Sequence, residues 1–235
     1  MKKIRIAHLY YDLMNLYGEN GNIKALERFI DRQGTKVEID RLSLEDKKDF
    51  KKYDFYYLGS GSEQNEMLVL GDLSKYKEDI REAIEDDKIF LVTGNSMEIF
   101  GKKKQLRNGK VIECLDIFDY SSVESETRIV GEILREFEQL GEKGHHIIGF
   151  KNCSSKLMTK PSSSLFDSMD SVRVNNFFGM MFFGPILIRN PHFTDYILQI
   201  LYDKLELEYV IDESSCEYDA YREYVKNFVD TSKLD

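Results

Sequence analysis

The residues from Ile89 to Gly101 have the pattern of a strand that turns sharply into a helix. An apolar, β-rich run breaks at Gly94, and Asn95 and Ser96 are residue types that commonly begin helices. Many α/β enzymes present a nucleophilic side chain at the apex of such an elbow. Here the apex is a glycine, which has no side chain to present. The sequence therefore predicts the frame of an active site without its reactive atom.

A glycine-rich loop, Leu58–Asn65, follows another strand-like run. Gly59 and Gly61, on either side of Ser60, let backbone N–H groups converge on an anion or an oxyanion. A helix that begins near Ser62 would explain the same glycines without any ligand, so the sequence leaves both interpretations open. A third loop, Asp12–Asn22, is rich in residues that form turns, and we expect Asn22 to cap a helix that starts at Ile23.

Strand-like and helical patterns alternate along the chain, which is typical of an α/β fold. We expect three layers, with a mainly parallel central sheet and helices on both faces. In such sheets ligands bind at the carboxyl ends of the strands, where the elbow and the two loops would meet. The predicted strands are Ile4–Tyr10, Val37–Leu42, Phe55–Gly59, Ile89–Thr93, Thr127–Arg135, Ile147–Lys151 and Phe178–Phe183, and the predicted helices are Ile23–Arg32, Leu73–Glu85, His192–Lys204 and Glu217–Val229.

The chain of 235 residues, with three prolines and no repeat or low-complexity tract, is expected to form one domain spanning residues 1–235. Two segments, Asp116–Glu126 and Ser154–Asp170, look like surface insertions. The net charge of −9 argues against a nucleic-acid or anionic-membrane surface. The short basic run Lys102–Lys104 is expected to be a solvated loop, with an anion site as the alternative.

Three widely spaced cysteines, Cys114, Cys153 and Cys216, fit neither a disulfide framework nor the spacing of a zinc site. We expect reduced thiols in a cytoplasmic protein that needs no metal and no cofactor. No apolar signal-peptide segment follows Met1, and no apolar run approaches the roughly 18 residues of a membrane span.

Six segments, in fixed order and spacing, resemble the class I (triad) glutamine amidotransferases. The similarity is to the CobB/CobQ branch, in particular to GatD, the glutaminase subunit of lipid II isoglutaminyl synthase. It runs over about residues 4–205 and leaves 206–235 as a helical extension. The resemblance implies a flavodoxin-like core. The matching segments are Tyr11–Ile23, Tyr57–Gly61, the elbow through Gly101, Thr127–Glu132, Gly149–Asn152, and Gly179–Leu187 followed by Arg189–Pro191.

The resemblance also implies a chemistry whose residues this chain lacks. In the family, a cysteine thiolate at the elbow attacks the side-chain amide of glutamine, and a histidine on a late strand carries the proton. Family elbows read roughly Cys-Gly-Gly-Tyr-Gln, whereas this chain has Gly94-Asn-Ser-Met-Glu98. Phe183 stands at the histidine position, and Cys153 stands where relatives commonly carry another histidine. We expect Gly94, Phe183 and Cys153 to be degenerate positions, and we expect no catalytic residue.

A neighbouring side chain could replace the missing nucleophile, and the candidates are Thr93, Ser96 and Cys153. Neither Thr93 nor Ser96 lies at the strained apex, and no histidine is assigned beside them. Structural or surface positions are expected for the four histidines, which are His8, His145, His146 and His192.

Binding could survive the loss of catalysis, through a remnant made of the loop Gly59–Gly61, Asn95, Arg128 and Glu19. Arg128 matches a position that the resemblance assigns to recognition of the substrate amino acid, and a guanidinium pairs well with a carboxylate. The alternative is a surface residue paired with Glu126 or Glu132. Glu19 would be either a loop cap or a carboxylate that lines the cleft.

Three functions follow from these expectations. The first is an inactive amidotransferase-like subunit that binds a partner such as a Mur-ligase-like, ATP-dependent amide synthetase of cell-wall metabolism. The second is an active but divergent amidotransferase or hydrolase with another nucleophile. The third is a sensor that binds glutamine or another amino acid.

Overall fold

The chain folds into a larger sheet flanked by helices and a smaller sheet beside it. The structure is a computed structural model and describes residues 2–137, 146–158, 161, 163–166 and 168–231. The strands are β1 (Lys3–Leu9), β2 (Lys36–Leu42), β3 (Phe55–Leu58), β4 (Ile89–Thr93), β5 (Lys103–Gln105), β6 (Val111–Glu113), β7 (Ser121–Glu136), β8 (His146–Leu157), β9 (Ser171–Val174) and β10 (Phe177–Met180), and the helices are α1 (Asn20–Arg32), α2 (Glu63–Leu73), α3 (Lys77–Glu85), α4 (Ser96–Ile99), α5 (Ile186–Arg189), α6 (Pro191–Lys204) and α7 (Cys216–Thr231).

The larger sheet has the strand order β2-β1-β3-β4-β10-β9 and is parallel except for β9, which pairs antiparallel with β10. Alternate side chains of β3 point to opposite faces, as in any strand. Phe55 and Tyr57 pack on the side of α1 and α6, while Tyr56 and Leu58 pack on the side of α2 and α3. Both faces are therefore covered by helices, and the predicted α/β fold with a mainly parallel sheet is confirmed.

The boundaries of one predicted helix are wrong for a local reason. The segment Leu73–Glu85 is not one helix, because α2 ends at Leu73 and a 3-10 turn at Ser74–Tyr76 precedes α3. The start of α2 is capped by the side chain of Ser62, which accepts a hydrogen bond from the Asn65 amide at 3.1 Å. The loop Leu58–Asn65 thus does lead directly into a helix.

Asn22 does not cap α1, which already begins at Asn20. Its buried side chain instead links the helix to the chain that follows Phe183. The amide nitrogen donates to the Tyr57 hydroxyl at 2.7 Å and to the Gly184 carbonyl at 3.1 Å, and the amide oxygen accepts from the Leu187 N–H at 2.9 Å.

The smaller sheet, with strand order β6-β5-β7-β8, was not predicted as a unit. Its long antiparallel ribbon, β7 with β8, includes parts of both predicted insertions. Ser122 pairs with Leu157 and Glu124 pairs with Ser155, so the ends of the supposed insertions are strand residues. The predicted insertion Ser154–Asp170 also contains residues 159, 160, 162 and 167, which lie outside the described residues.

The predicted strand Phe178–Phe183 ends early, because β10 stops at Met180. The neighbouring strand β4 ends at Thr93, and the Gly94 N–H then donates to the carbonyls of both Met180 and Phe182. Beyond that point the chain turns toward the smaller sheet, where Phe183 forms a single bridge with Phe150 of β8. In the described part of the chain, no helix is long and apolar enough to cross a membrane.

Asn190, between α5 and α6, ties the smaller sheet to the rest of the molecule. The side chain is fully buried and acts as a one-residue strand partner for Ile148 of β8. Its oxygen accepts from the Ile148 N–H at 2.7 Å, and its nitrogen donates to the Ile148 and Ile186 carbonyls at 2.9 and 2.8 Å.

We expect Asn190→Ala to lower the free energy of unfolding by about 3 kcal/mol, because two buried backbone groups of Ile148 would lose their partner. Chemical denaturation of the purified variant measures this change. The matched control is Asn176→Ala, which removes one exposed amide that donates to the Asp87 carbonyl at 3.0 Å and is expected to cost less than about 1 kcal/mol. Equal losses in the two variants would contradict the role assigned to Asn190.

Candidate functional site

A cleft of about 210 Å³ lies at the carboxyl ends of β3 and β4, between the larger sheet and the β7–β8 ribbon. This is the position at which parallel α/β sheets bind ligands. Six of the predicted site residues line it, namely Ser60, Gly61, Asn95, Arg128, Cys153 and Phe183. Gly94, Gly59 and Glu19 are buried behind its wall.

Gly94 forms a tight elbow, and the space next to it is occupied. Its φ angle is +63°, a left-handed conformation that glycine adopts at no steric cost. A β-carbon added there would lie 2.6 Å from the β-carbon of Ser60, with the Ser60 hydroxyl closer still, and 3.2 Å from the ring of Phe183. The side chain of Ser60 therefore fills the volume that a residue at the elbow would need.

Phe183 is held in place by two aromatic neighbours and is 3% exposed. Its ring stacks on Tyr17 with centroids 4.6 Å apart and meets the edge of Phe150 at 5.9 Å. Its backbone N–H donates to the Phe150 carbonyl at 3.0 Å. The position therefore carries an apolar packing contact and offers no group that can transfer a proton.

The Gly61 N–H of the glycine-rich loop is satisfied within the protein. Asn95 projects its side-chain oxygen into the loop, where it accepts from the Ser60 hydroxyl at 2.9 Å and from the Gly61 N–H at 3.1 Å. Its nitrogen donates to the Gly61 carbonyl and to Glu66, both at 3.0 Å. The Asn95 amide thus occupies both the N–H and the carbonyl of Gly61.

Glu19 is completely buried at the junction of three chain segments. The hydroxyls of Tyr57 and Thr93 donate to one carboxyl oxygen, and the Gly184 N–H donates to the other at 2.7 Å. The side chain makes no capping bond to α1 and does not line the cleft, so neither predicted role for Glu19 holds. Burial raises the pKa of this carboxyl to about 7, against the opposing effect of its hydrogen-bond donors.

The candidate replacement nucleophiles are engaged elsewhere or poorly activated. Thr93 bonds to Glu19, and the Ser96 hydroxyl donates to the Gly59 carbonyl; both side chains are fully buried. Cys153 does line the cleft, but burial raises the pKa of its thiol, which opposes formation of the nucleophilic thiolate.

None of the histidines that the structure describes lines the cleft. His8 is buried beside Tyr57, and burial lowers its pKa to about 4. His146 begins β8, and His192 lies in α6. His145 lies outside the described residues.

Arg128 faces the cleft and is held by Asn152 across the β7–β8 ribbon. Its guanidinium donates to the side-chain oxygen of Asn152 and, at 3.2 Å, to the Asn152 carbonyl. The Asn152 nitrogen donates in turn to the Tyr17 hydroxyl at 2.7 Å. Among the described residues, Arg128 forms no ion pair with Glu126 or Glu132, so this predicted alternative is wrong. Glu132 instead accepts from Arg189 at 2.7 Å.

Sequence reasoning missed a buried ionic cluster on the floor of the cleft. Lys104, expected in a solvated loop, is instead the central residue of β5 and is 2% exposed. Its ammonium lies 2.9 Å from Glu66 and 3.4 Å from Glu98. The sequence carries a weak signal for the burial of Lys104, because the middle residue of a three-residue strand points to the face opposite its two neighbours.

Within the described ranges, no group of three or more His, Cys, Asp or Glu side chains is arranged to hold a metal ion.

Comparison with known proteins places this site in a family. The profile of the CobB/CobQ-like glutamine amidotransferase domain matches residues 5–181. The chain belongs to this family. The resemblance seen in the sequence is thereby confirmed, and the elbow, the glycine-rich loop and Arg128 all lie within the matched residues.

Two relatives are GatD subunits of lipid II isoglutaminyl synthase (glutamine-hydrolyzing). The Staphylococcus aureus subunit is 28% identical over 209 residues, which are 85% of this chain and 84% of the relative. The Streptococcus pneumoniae subunit is 30% identical over 203 residues, 81% of this chain and 77% of the relative. A glutamine amidotransferase from Thermotoga maritima shares the fold, with a TM-score of 0.51 at 12% identity over 95% of this chain and 92% of its own.

We expect Glu19 to make the family fold less stable as pH rises. The carboxyl ionises near pH 4.5 in the unfolded chain but near 7 in the folded one, so the folded state keeps a proton that the unfolded state releases. Stability should therefore fall between these two values, by about 3 kcal/mol in all.

The variant Glu19→Gln should lose this pH dependence, because its amide can donate to the two hydroxyls and accept from Gly184 without titrating. Urea unfolding at about pH 5 and about pH 8 measures how the free energy of unfolding depends on pH. The difference in this free energy between the wild type and the variant should change by roughly 2 to 3 kcal/mol between the two pH values. Glu27→Gln, on the exposed face of α1, is the control and should keep the wild-type slope. A Glu19→Gln slope equal to that of the wild type would refute the assignment.

Proposed function

We propose that this chain is a glutamine amidotransferase-like subunit that no longer hydrolyses glutamine and acts by binding a partner. The observation that carries the proposal is the elbow. Gly94 offers no nucleophile, and the space beside it is taken by Ser60 and Phe183. The loss is thus built into the packing of the site as well as into the identity of one residue.

Glutaminase chemistry needs a nucleophile, a base and a set of oxyanion donors. The Ser60 hydroxyl, which lies nearest to the elbow, donates to the amide oxygen of Asn95, and an amide cannot take up the proton. The Gly61 N–H is already bonded to the same oxygen. Loss of a nucleophile or its base costs as much as about 10⁶ in turnover in a well-studied triad. These contacts support inactivity over a divergent enzyme.

The names of the relatives support a role as a subunit, because both are subunits of lipid II isoglutaminyl synthase. We extend that role to this chain and propose that it binds an ATP-dependent, Mur-ligase-like amide synthetase of peptidoglycan metabolism in the cytoplasm. A non-catalytic subunit would then position, stabilise or regulate the synthetase without supplying ammonia.

A glutamine sensor is the second candidate function, and Arg128 favours it. The guanidinium lies at the cleft and is bonded to the amide of one neighbour, Asn152, so donors remain for a ligand carboxylate. This function is compatible with the proposed subunit role, because a bound amino acid could modulate the partner.

The wild-type protein should release no ammonia from glutamine above a protein-free blank. The double variant Gly94→Cys/Phe183→His should stay weak, because Ser60 still crowds the elbow and Asn95 still occupies the Gly61 N–H. Adding Ser60→Gly and Asn95→Gly to the double variant should raise turnover by about a hundredfold, the value of one oxyanion donor. A coupled ammonia assay measures all three proteins, after circular dichroism has shown that each is folded.

Ammonia release by the wild-type protein, at a rate that purification does not remove, would overturn the proposal. A fully active double variant would show instead that the Ser60 and Asn95 contacts are easily displaced.

The partner proposal predicts a stable complex. Co-expression of the chain with a Mur-ligase-like synthetase from the same organism should give a single species in size-exclusion chromatography with light scattering. A Mur ligase that adds amino acids to the peptidoglycan precursor is the matched control and should elute separately. If both elute apart from the chain, the partner assignment is wrong, whatever the ammonia assay shows.

A further inference from the structure

The floor of the cleft carries more negative charge than its own residues neutralise. Glu66, Glu98 and Lys104 are each 2% exposed or less, and they place two carboxylates around one ammonium. Glu63 and Glu124 also line the cleft, against Arg128 at its other side. With four carboxylates and two cations along its walls, the cleft attracts cations and repels anions.

The excess negative charge is carried by two buried carboxylates, Glu66 and Glu98. Burial, followed by the charge of Glu98, raises the pKa of Glu66 to about 8. The other ionisable groups that act on this pair include Lys104, whose pKa the two carboxylates raise against the effect of burial, and Cys114, whose thiol pKa is raised by burial and by the same carboxylates. Tyr120 and Cys153 also interact with Glu98, and burial raises the pKa of both. The cluster therefore takes up a proton, or another small cation, to reach neutrality.

One oxygen of the cluster has no partner. Glu98 contacts Lys104 through Oε1, while its Oε2 is buried and accepts no hydrogen bond. A buried carboxylate oxygen without a donor is costly, and such groups are normally satisfied by protein, water or ligand. Glu98 lines the cleft while its Oε2 is covered, so a donor entering from the cleft reaches this oxygen only by displacing a neighbouring side chain.

We propose that the floor of the cleft binds the ammonium group of a small primary amine, with Glu98 as the principal acceptor and Glu66 as the second charge. An ammonium supplies up to three N–H donors and one positive charge, which match the unpartnered oxygen and the surplus charge. The volume of about 210 Å³ equals that of roughly seven liquid waters, so the ligand is a small molecule.

The excess negative charge depends on Glu98. With an uncharged amide at this position, Lys104 and Glu66 would neutralise each other. The inference concerns binding alone and does not depend on whether the chain hydrolyses glutamine or on which partner it has.

Thermal-shift titration of the wild-type protein at matched ionic strength tests the proposal. Methylammonium chloride should raise the melting temperature along a saturable curve, because it binds the folded state alone. Tetramethylammonium chloride carries the same charge but no N–H donor, and it should leave the melting temperature at its potassium chloride value. Equal melting-temperature curves for the two ammonium salts would show that charge screening is the whole effect and would overturn the proposal.

Glu98→Gln should abolish the methylammonium shift while it keeps the shape of the side chain. Glu27→Gln removes an exposed carboxylate on α1, outside the cleft, and should keep the shift. Loss of the shift in both variants, or in neither, would contradict the role of Glu98. Glutamine is titrated in the same way. If glutamine raises the melting temperature and methylammonium does not, recognition lies at Arg128 and the ammonium site is overturned.

A measurement on the wild type alone covers the case in which Glu98→Gln does not fold. Calorimetric titration with methylammonium at neutral pH, in two buffers of different ionisation enthalpy, reports protons released on binding. Because the ligand cation replaces the proton held by the cluster, binding should release a fraction of a proton. Binding without proton release would contradict the site.

Discussion

The buried carboxyl of Glu19 is the constraint around which the site is built. It receives hydrogen bonds from Tyr57 on β3, from Thr93 at the end of β4 and from Gly184 after Phe183. These three segments carry the glycine-rich loop, the elbow and the position that, by the resemblance, corresponds to the family histidine. A single side chain therefore links these three parts of the site.

The elbow at Gly94 has no side chain, and contacts within the protein fill the space around it. Ser60 fills the space beside Gly94, Asn95 satisfies the Gly61 N–H of the glycine-rich loop, and Phe183 packs between Tyr17 and Phe150. Each contact is one that a substrate or a catalytic group would have to displace. The elbow is thus tightly packed, while the cleft floor is acidic, with Glu66 and Glu98 around Lys104.

The sequence predicted the framework because its signals are local. The break of an apolar run at Gly94 located the elbow, and the alternation of strands and helices predicted the sheet. The contents of the site were less predictable, because they depend on pairs distant in the chain. Ser60 meets Gly94 only in the folded protein, and Lys104 was expected in solvent because short charge runs are usually exposed. The β7–β8 pairing was missed for the same reason, since partners such as Ser122 and Leu157 lie far apart in the chain.

The most direct test of the central claim is covalent labelling of the wild-type protein with a glutamine analogue that carries an electrophilic diazoketone, read by intact mass spectrometry. Such a reagent forms a bond only with an activated nucleophile that binds glutamine in the reactive position. The account predicts an unchanged mass. An adduct of one analogue per chain would contradict it, and digestion of the labelled protein would then identify the nucleophile that the chain uses.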